Sequence, residues 1–189
     1  MGSYMITAEQ AANALKEADA TERRSFEAYS YSQSAPYCFV WGVVWLLGYG
    51  LEALAPEPYR EWLGWWWMGL SLAGAIASIV IGQRQSACRP GKPWRMGLLI
   101  VILWLFNFAL FSVLKPQNYL QVGAYYPLLF GAIYAAIGLW LGLRYILVGV
   151  FMAASALIAY FYLPEYFFHW MALVGGGSLV LTGFWMRKA

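Results

Sequence analysis

The stretch that decides the fold runs from Trp62 to Gly82 and reads WLGWWWMGLSLAGAIASIVIG. It contains no Lys, Arg, Asp or Glu, and an apolar helix of about 20 residues is long enough to span the hydrocarbon core of a bilayer. The rest of the 189-residue chain agrees, because only 11% of its residues are charged and 62% are hydrophobic. A soluble domain carries roughly 25% charged residues. The composition therefore predicts a membrane protein and excludes a soluble enzyme, a disordered chain and a nucleic-acid-binding domain.

Several segments have the length and apolar character of transmembrane helices. The six expected spans are approximately Tyr37–Leu54, Trp62–Gly82, Met96–Leu114, Tyr119–Gly142, Tyr145–Leu163 and Tyr166–Met186. These runs are too long and too uniformly apolar for the alternating strands of a membrane barrel. We therefore expect an all-α integral membrane protein, with a six-helix transmembrane domain over residues 36–189 and an N-terminal helical segment over residues 1–35.

The basic residues are distributed unevenly between the two sides that these spans define. With the N-terminus inside, the inner segments carry ten of them: Lys16, Arg23, Arg24, Arg84, Arg89, Lys92, Arg95, Arg144, Arg187 and Lys188. The outer turns carry only Arg60 and Lys115. Because cytoplasmic loops are enriched in Lys and Arg, we expect a plasma (inner) membrane protein with both termini in the cytoplasm.

The three expected outer turns resemble one another. They read PEPYREW at Pro56–Trp62, PQNYLQV at Pro116–Val122 and PEYFFHW at Pro164–Trp170. The proline ends the preceding helix, and the acid or amide after it lies near the positive N-terminus of the next helix. The chain thus divides into three in-out-in hairpins, at about 36–83, 95–143 and 144–187. True internal repetition predicts a pseudo-threefold bundle, whereas convergence of outer turns on the same residue types does not.

The N-terminal segment begins with a capping sequence, Thr7–Gln10, in which the threonine caps the first turn and Gln10 reaches back to it. We expect a cytoplasmic amphipathic helix from about Ala8 to Gln33. It should end before Pro36, because a proline disfavours helical geometry in the residue that precedes it.

The charges and apolar residues of this helix bear on its role. Its apolar stripe consists of Ala8, Ala11, Leu15, Ala18, Phe26 and Tyr29, and Glu22 interrupts it. Asp19 and Arg23 are spaced for an ion pair. Three basic and five acidic residues give the segment a net charge of −2, so it is a poor ligand for anionic lipid. The helix serves either as a lead-in to the bundle or as a docking or self-association element.

A basic connection joins the second and third spans. This connection, Gln83–Arg95, contains Arg84, Arg89, Lys92 and Arg95. They act either as the topology signal alone or as a binding site for anionic headgroups or an acidic protein partner.

Polar residues inside the spans are few, and the middle of the membrane carries no ionisable residue. Asn107 is the most polar residue near the midplane, where an amide either joins helices or lines a solute or ion path. Four acids and a histidine lie near expected outer ends: Glu52, Glu57, Glu61, Glu165 and His169. They are either ordinary interfacial residues or a cation or proton site, and their spacing is not diagnostic of a metal.

Small residues recur within the spans and allow helix backbones to approach closely. The glycines that we expect to form packing contacts or a hinge are Gly69, Gly74, Gly138, Gly142, Gly175, Gly176 and Gly177. The last three follow one another, which makes the sixth span the candidate moving element.

From these features we expect a small channel or transporter for a small solute or ion, working as a homo-oligomer in the bilayer. The alternative is a non-catalytic accessory or signalling protein that binds a cytoplasmic protein through its N-terminal helix and basic inner loop. An intramembrane enzyme is the least favoured class, because no nucleophile–base pair is visible. We predict no catalytic residues, no metal site, no cofactor and no nucleic-acid partner.

Overall fold

The computed structural model describes residues 7–86 and 93–188, and within these ranges the chain is all-helical. The helices are α1 (Ala8–Leu54), α2 (Leu63–Ser86), α3 (Pro93–Leu114), α4 (Tyr119–Leu141), α5 (Leu143–Tyr162), α6 (Phe167–Trp170) and α7 (Gly177–Arg187). A π-helical segment, Met171–Gly176, joins α6 to α7 without a break. Short 3-10 turns cover Glu57–Trp62 and Pro164–Tyr166. The predicted all-α fold is confirmed.

Five helices in the described ranges are long and apolar enough to cross a membrane. They are Glu9–Leu54, Leu63–Gln85, Tyr119–Leu141, Leu143–Tyr162 and Pro164–Arg187. The remaining expected span corresponds to α3, in which Leu105–Leu114 forms a shorter apolar helix. The helices therefore fit a bilayer and agree in position with the spans expected from the sequence.

The first helix differs from the expectation in one respect. The capping box at its start is confirmed, since Gln10 N donates to Thr7 Oγ1 (3.3 Å) and Thr7 N donates to Gln10 Oε1 (3.0 Å). The expected end before Pro36 is wrong, however, because α1 continues through that proline for 47 residues in all. The N-terminal helix and the first span are one helix.

Side chains from two other helices bond to the turn of α1 that precedes Pro36. A proline inside a helix removes one backbone hydrogen bond and crowds the preceding turn. Two carbonyls in that turn region accept side-chain hydrogen bonds from elsewhere: Tyr145 Oη donates to Ser30 O (2.9 Å) and Gln85 Nε2 donates to Gln33 O (3.0 Å). The carbonyl that loses its backbone donor to Pro36 is that of Ser32, and these two bonds tie the turn around it to α5 and α2.

Together, α6, the π-helical segment and α7 form one continuous stretch, here called the last helical run. The core lies where α1 meets this run. Phe167, Met171 and Met186 from that run are fully buried, as is Tyr49 from α1. A second tight pair is formed by α4 and α5, while α2 packs on α1. The first two of these pairings link helices from different expected hairpins. The hairpin repeat itself stays a prediction.

Close backbone approach supports both pairings. A Cβ on Gly176 would lie 2.7 Å from the Leu46 amide nitrogen, and one on Gly42 would lie 2.9 Å from the Val180 nitrogen. Between α4 and α5, a Cβ on Gly131 would lie 2.8 Å from the Gly149 carbonyl oxygen. Larger side chains at these positions would separate the helices.

Candidate functional site

The part of α1 that precedes the bundle, residues 9–29, is here called the arm. Every side chain from Glu9 to Phe26 is exposed. Leu15, Phe26 and Tyr29 are 68%, 51% and 44% exposed. An α-helix turns by about 100° per residue, so these three side chains fall on one face, which also includes Ala11 and Ala18. We call this the apolar face of the arm.

The net negative charge of the arm lies on its apolar face. By the same helical rotation, Glu22 lies within that face and Asp19 at its edge. The rest of the arm carries three acids and three bases, which balance: Glu9, Glu17, Glu27, Lys16, Arg23 and Arg24. The net charge of −2 in this segment therefore belongs to the apolar face.

The ion pair in the described part of the arm uses an acid that lies outside the apolar face. Arg23 Nε lies 3.2 Å from Glu27 Oε1, away from the apolar face. The expected pair between Asp19 and Arg23 is wrong, because the guanidinium turns toward the following helical turn instead. Within the described ranges Asp19 makes no ion pair.

A cluster of side chains, here called the junction, fixes the arm to the bundle where α4 and α5 meet. Its members are Tyr31, Ser34, Gly142, Arg144, Tyr145 and Trp185. The Arg144 guanidinium lies 4.9 Å from the ring centroids of both Tyr31 and Trp185, and its Nη1 donates to the Trp185 carbonyl oxygen (2.7 Å). Cations are attracted to aromatic ring faces at this range. One guanidinium thus joins α1, α5 and α7.

The turn between α4 and α5 depends on Gly142. Its φ is +122°, a backbone conformation that residues with a Cβ rarely adopt. The Tyr31 hydroxyl occupies the space that a Cβ at this position would need. Beside it, the Tyr145 hydroxyl lies 2.6 Å from Ser34 Oγ. The junction therefore holds the base of the arm by aromatic packing and hydrogen bonds together.

Sequence reasoning named two members of the junction for other reasons and missed its assembly. From the sequence, Arg144 was interpreted only as one of the basic residues on the inner side, and Gly142 only as a glycine at a helix contact or hinge. The missed partners, Tyr31 and Ser34, lie on a helix that was expected to end nearby. The signal that was present is the run Gly142–Tyr145, which combines a glycine, a cation and an aromatic residue at a turn.

The candidate residues for a transport path do not gather at one place. Glu52 accepts a hydrogen bond from Trp67 Nε1 (2.9 Å) and is half-buried. Glu61, Glu165 and His169 are exposed, and the His169 ring lies 6.2 Å from that of Tyr166. In the described ranges, no three His, Cys, Asp or Glu residues lie together as metal ligands would.

Asn107 lies half-buried on α3, one turn before Phe111. The Phe111 ring packs against Tyr125 (5.1 Å between centroids) and Tyr126 (6.0 Å) on α4. The Tyr125 hydroxyl is buried and has no hydrogen-bond partner within the described chain. The Tyr125 hydroxyl is therefore a polar group beside the contact between α3 and α4 that no hydrogen bond within the described chain satisfies.

Two hydrogen bonds between helices satisfy other polar groups inside the bundle. Tyr49 Oη donates to the Gly123 carbonyl oxygen (2.7 Å), and Trp170 Nε1 donates to Ser155 Oγ (2.9 Å). Each bond joins two helices. Such pairs hold membrane helices together.

The glycines singled out from the sequence fall into three groups. Those at tight helix contacts are Gly138, against Ile146, and Gly176, against Leu46. Gly74 lies less closely against Val44, and Gly175 lies against the end of the Met171 side chain and, less closely, against Trp45. Gly142 shapes the turn described above. A Cβ on Gly69 or Gly177 would meet no described atom within 4 Å. The close-contact glycines Gly42, Gly131 and Gly149 were missed, because their partners depend on which helices pair.

The structure describes one side chain of the predicted basic patch. Arg84 is exposed in the last turn of α2. Arg89 and Lys92 lie outside the described residues, as does the side chain of Arg95.

The comparisons with known proteins do not add a function. No protein-family model matches the sequence, and no curated protein and no solved structure shows significant similarity to it.

Proposed function

We propose that the chain is a non-catalytic accessory or signalling membrane protein that binds another protein through the arm. The observation that carries this proposal is the continuity of α1. The same helix presents an exposed apolar face in residues 9–29 and supplies buried Trp45 and Tyr49 to the core. A partner on the arm would therefore act directly on the helix around which the bundle is packed.

The junction supports this proposal, because a docking element transmits an effect only if its base is fixed. Arg144, Tyr145 and Gly142 hold α1 at Tyr31 and Ser34, between the arm and the buried part of the helix. The arm is thus an extension of the bundle rather than a loosely attached tail.

Site-specific photo-crosslinking in intact cells tests the docking role. A photoreactive residue at Leu15 or Phe26 should give an adduct of defined mass, and one at Asn13 or Ala20, on the opposite face, should not. The adduct at Phe26 should disappear when Leu15 is replaced by Ser. Equal adducts from both faces, or none from either, would contradict the proposal.

A second candidate function is a small channel or transporter, and the region between α3 and α4 favours it. The unpartnered Tyr125 hydroxyl and the Asn107 amide lie in apolar surroundings, where a polar group usually has a structural or transport role. The π-helical segment adds support, because π turns inside α-helices are frequent at functional sites.

Flux measurements in liposomes separate the two functions. A transporter should move a small solute or ion at a rate that Asn107→Leu and Tyr125→Phe both change, while Tyr119→Phe, at an exposed position of α4, should leave it unaltered. Flux equal to that of protein-free liposomes would rule out this candidate for the solutes tested.

We further propose that the chain lies in the plasma (inner) membrane with both termini in the cytoplasm and forms homo-oligomers. The orientation rests on the distribution of Lys and Arg. An oligomer contact on α2 is supported by Gly64 and Gly69, around which the described protomer leaves open space. Cysteine labelling at position 13 should require permeabilised membranes, and cysteine crosslinking at position 69 should give a dimer.

A further inference from the structure

The apolar face of the arm combines hydrophobic side chains with two acids, Asp19 and Glu22, that form no ion pair within the described ranges. We infer that its partner is a basic amphipathic protein segment, one that offers apolar side chains flanked by Lys or Arg. This inference rests on the proposed docking function and gives the chemistry of the partner.

The apolar side chains indicate why the arm should have a partner. Most helical stability in proteins comes from packing an amphipathic face rather than from intrinsic propensity. Leu15 and Phe26 are more than half exposed although they share one face of the helix. Covering that face would remove apolar area from water and stabilise the arm.

The two acids indicate why the partner should be basic. A neutral apolar partner would cover Glu22, which lies within the face, and Asp19, which borders it, without replacing their hydration. Removing charges from water in this way is costly unless they are paired. Lys or Arg side chains of a partner would supply the pairing, and their aliphatic stems would extend the apolar contact.

Two other occupants fit less well. An anionic membrane surface attracts basic segments, whereas this face carries two negative charges. A second copy of the chain, inserted in the same membrane in the same orientation, would meet the arm in parallel. Glu22 of one copy would then lie opposite Glu22 of the other, and like charges at a helix–helix interface oppose pairing.

The test uses the full chain in nanodiscs of phosphatidylcholine and two synthetic helical peptides with the same pattern of leucines. One peptide has Lys at the flanking positions and the other has Glu. We expect the basic peptide to bind about fivefold more tightly, a ratio in keeping with two exposed charge pairs. The preference should shrink in about 0.5 M salt, because exposed charges are then strongly screened.

Matched variants locate the charges responsible. Asp19→Asn with Glu22→Gln should abolish the preference for the basic peptide. Glu9→Gln with Glu17→Gln removes the same total charge from the opposite face and should leave the preference intact. Leu15→Ser should weaken the binding of both peptides.

The outcomes distinguish this inference from the docking function itself. If both peptides bind equally, or if the two double variants behave alike, the basic partner is disproved while docking stands. If neither peptide binds, the inference fails, and the crosslinking experiment decides docking separately. Binding of the full chain in nanodiscs to phosphatidylserine vesicles would assign the face to lipid instead. A dimer that Leu15→Ser dissociates would assign it to a second copy of the chain.

Discussion

Gly176 and Leu46 are in backbone contact where the last helical run crosses α1. A Cβ on Gly176 would come within 2.7 Å of the Leu46 amide nitrogen and within 2.8 Å of its Cγ. Because one of these neighbours is main chain, it cannot move aside by a change of rotamer. The contact therefore fixes the distance between the two central helices of the bundle.

Gly176→Ala should consequently destabilise the protein, by about 1–3 kcal/mol as expected for overpacking. Thermal unfolding in detergent measures the effect. Gly177→Ala is the matched control, since a Cβ there meets no described atom within 4 Å, and alanine is the better helix former. Equal losses at the two positions would show that the backbone contact is not what matters.

Tyr145→Phe should weaken the junction. The hydroxyl lies 2.6 Å from Ser34 Oγ and donates to the Ser30 carbonyl oxygen at 2.9 Å. Losing both bonds should cost about 1–2 kcal/mol and should increase amide hydrogen exchange around Ser30. Tyr162→Phe, which removes a hydroxyl from a side chain that is 80% exposed, should change neither quantity.

Ser155→Ala should leave the Trp170 indole without its hydrogen-bond partner. The expected cost is about 1–2 kcal/mol, because the half-buried indole N–H loses its acceptor. The combination of Ser155→Ala with Trp170→Phe removes donor and acceptor together, so the two changes should be less than additive in a double-mutant cycle. Strict additivity in thermal unfolding would contradict the hydrogen bond.

Gly142→Ala should disturb the turn between α4 and α5. The backbone there has a φ of +122°, and an added Cβ would collide with the Tyr31 hydroxyl. We expect a loss of about 1–3 kcal/mol, the usual range for a strained backbone position. Gly50→Ala, where a Cβ meets nothing within 4 Å of the described chain, is the comparison. Tyr31→Phe in the Gly142→Ala background should recover only the part of the loss that comes from the collision.

The sequence was sufficient to predict the helical fold and the positions of the spans, because length and apolar character are local properties. The capping box at Thr7 was predictable for the same reason. The path of α1 through Pro36 was not, since the side chains that tie this turn to the bundle, at the carbonyls of Gln33 and Ser30, come from 52 and 115 residues away in the chain. Local rules at a proline describe an isolated helix, and here tertiary contacts outweigh them.

The candidate site was predictable only in part. The amphipathic arm could be read from the spacing of Leu15 and Phe26, but the ion pair was assigned to Asp19 because one helix offers Arg23 two partners at equal spacing. To predict a glycine contact such as that of Gly42 with Val180, one must know which helices cross and at which residues. That information is carried by the whole packing arrangement and by no short motif.

The π-helical segment, Met171–Gly176, has a consequence for the register of the last helical run. A π turn accommodates one residue more than an α turn, and one residue corresponds to about 100° of rotation. If the segment rewound as α-helix while Gly176 stayed against Leu46, α6 would rotate by that amount about its own axis. Trp170 would then leave Ser155, and a different set of side chains would face α5. The π turn therefore sets which side chains of α6 face α5.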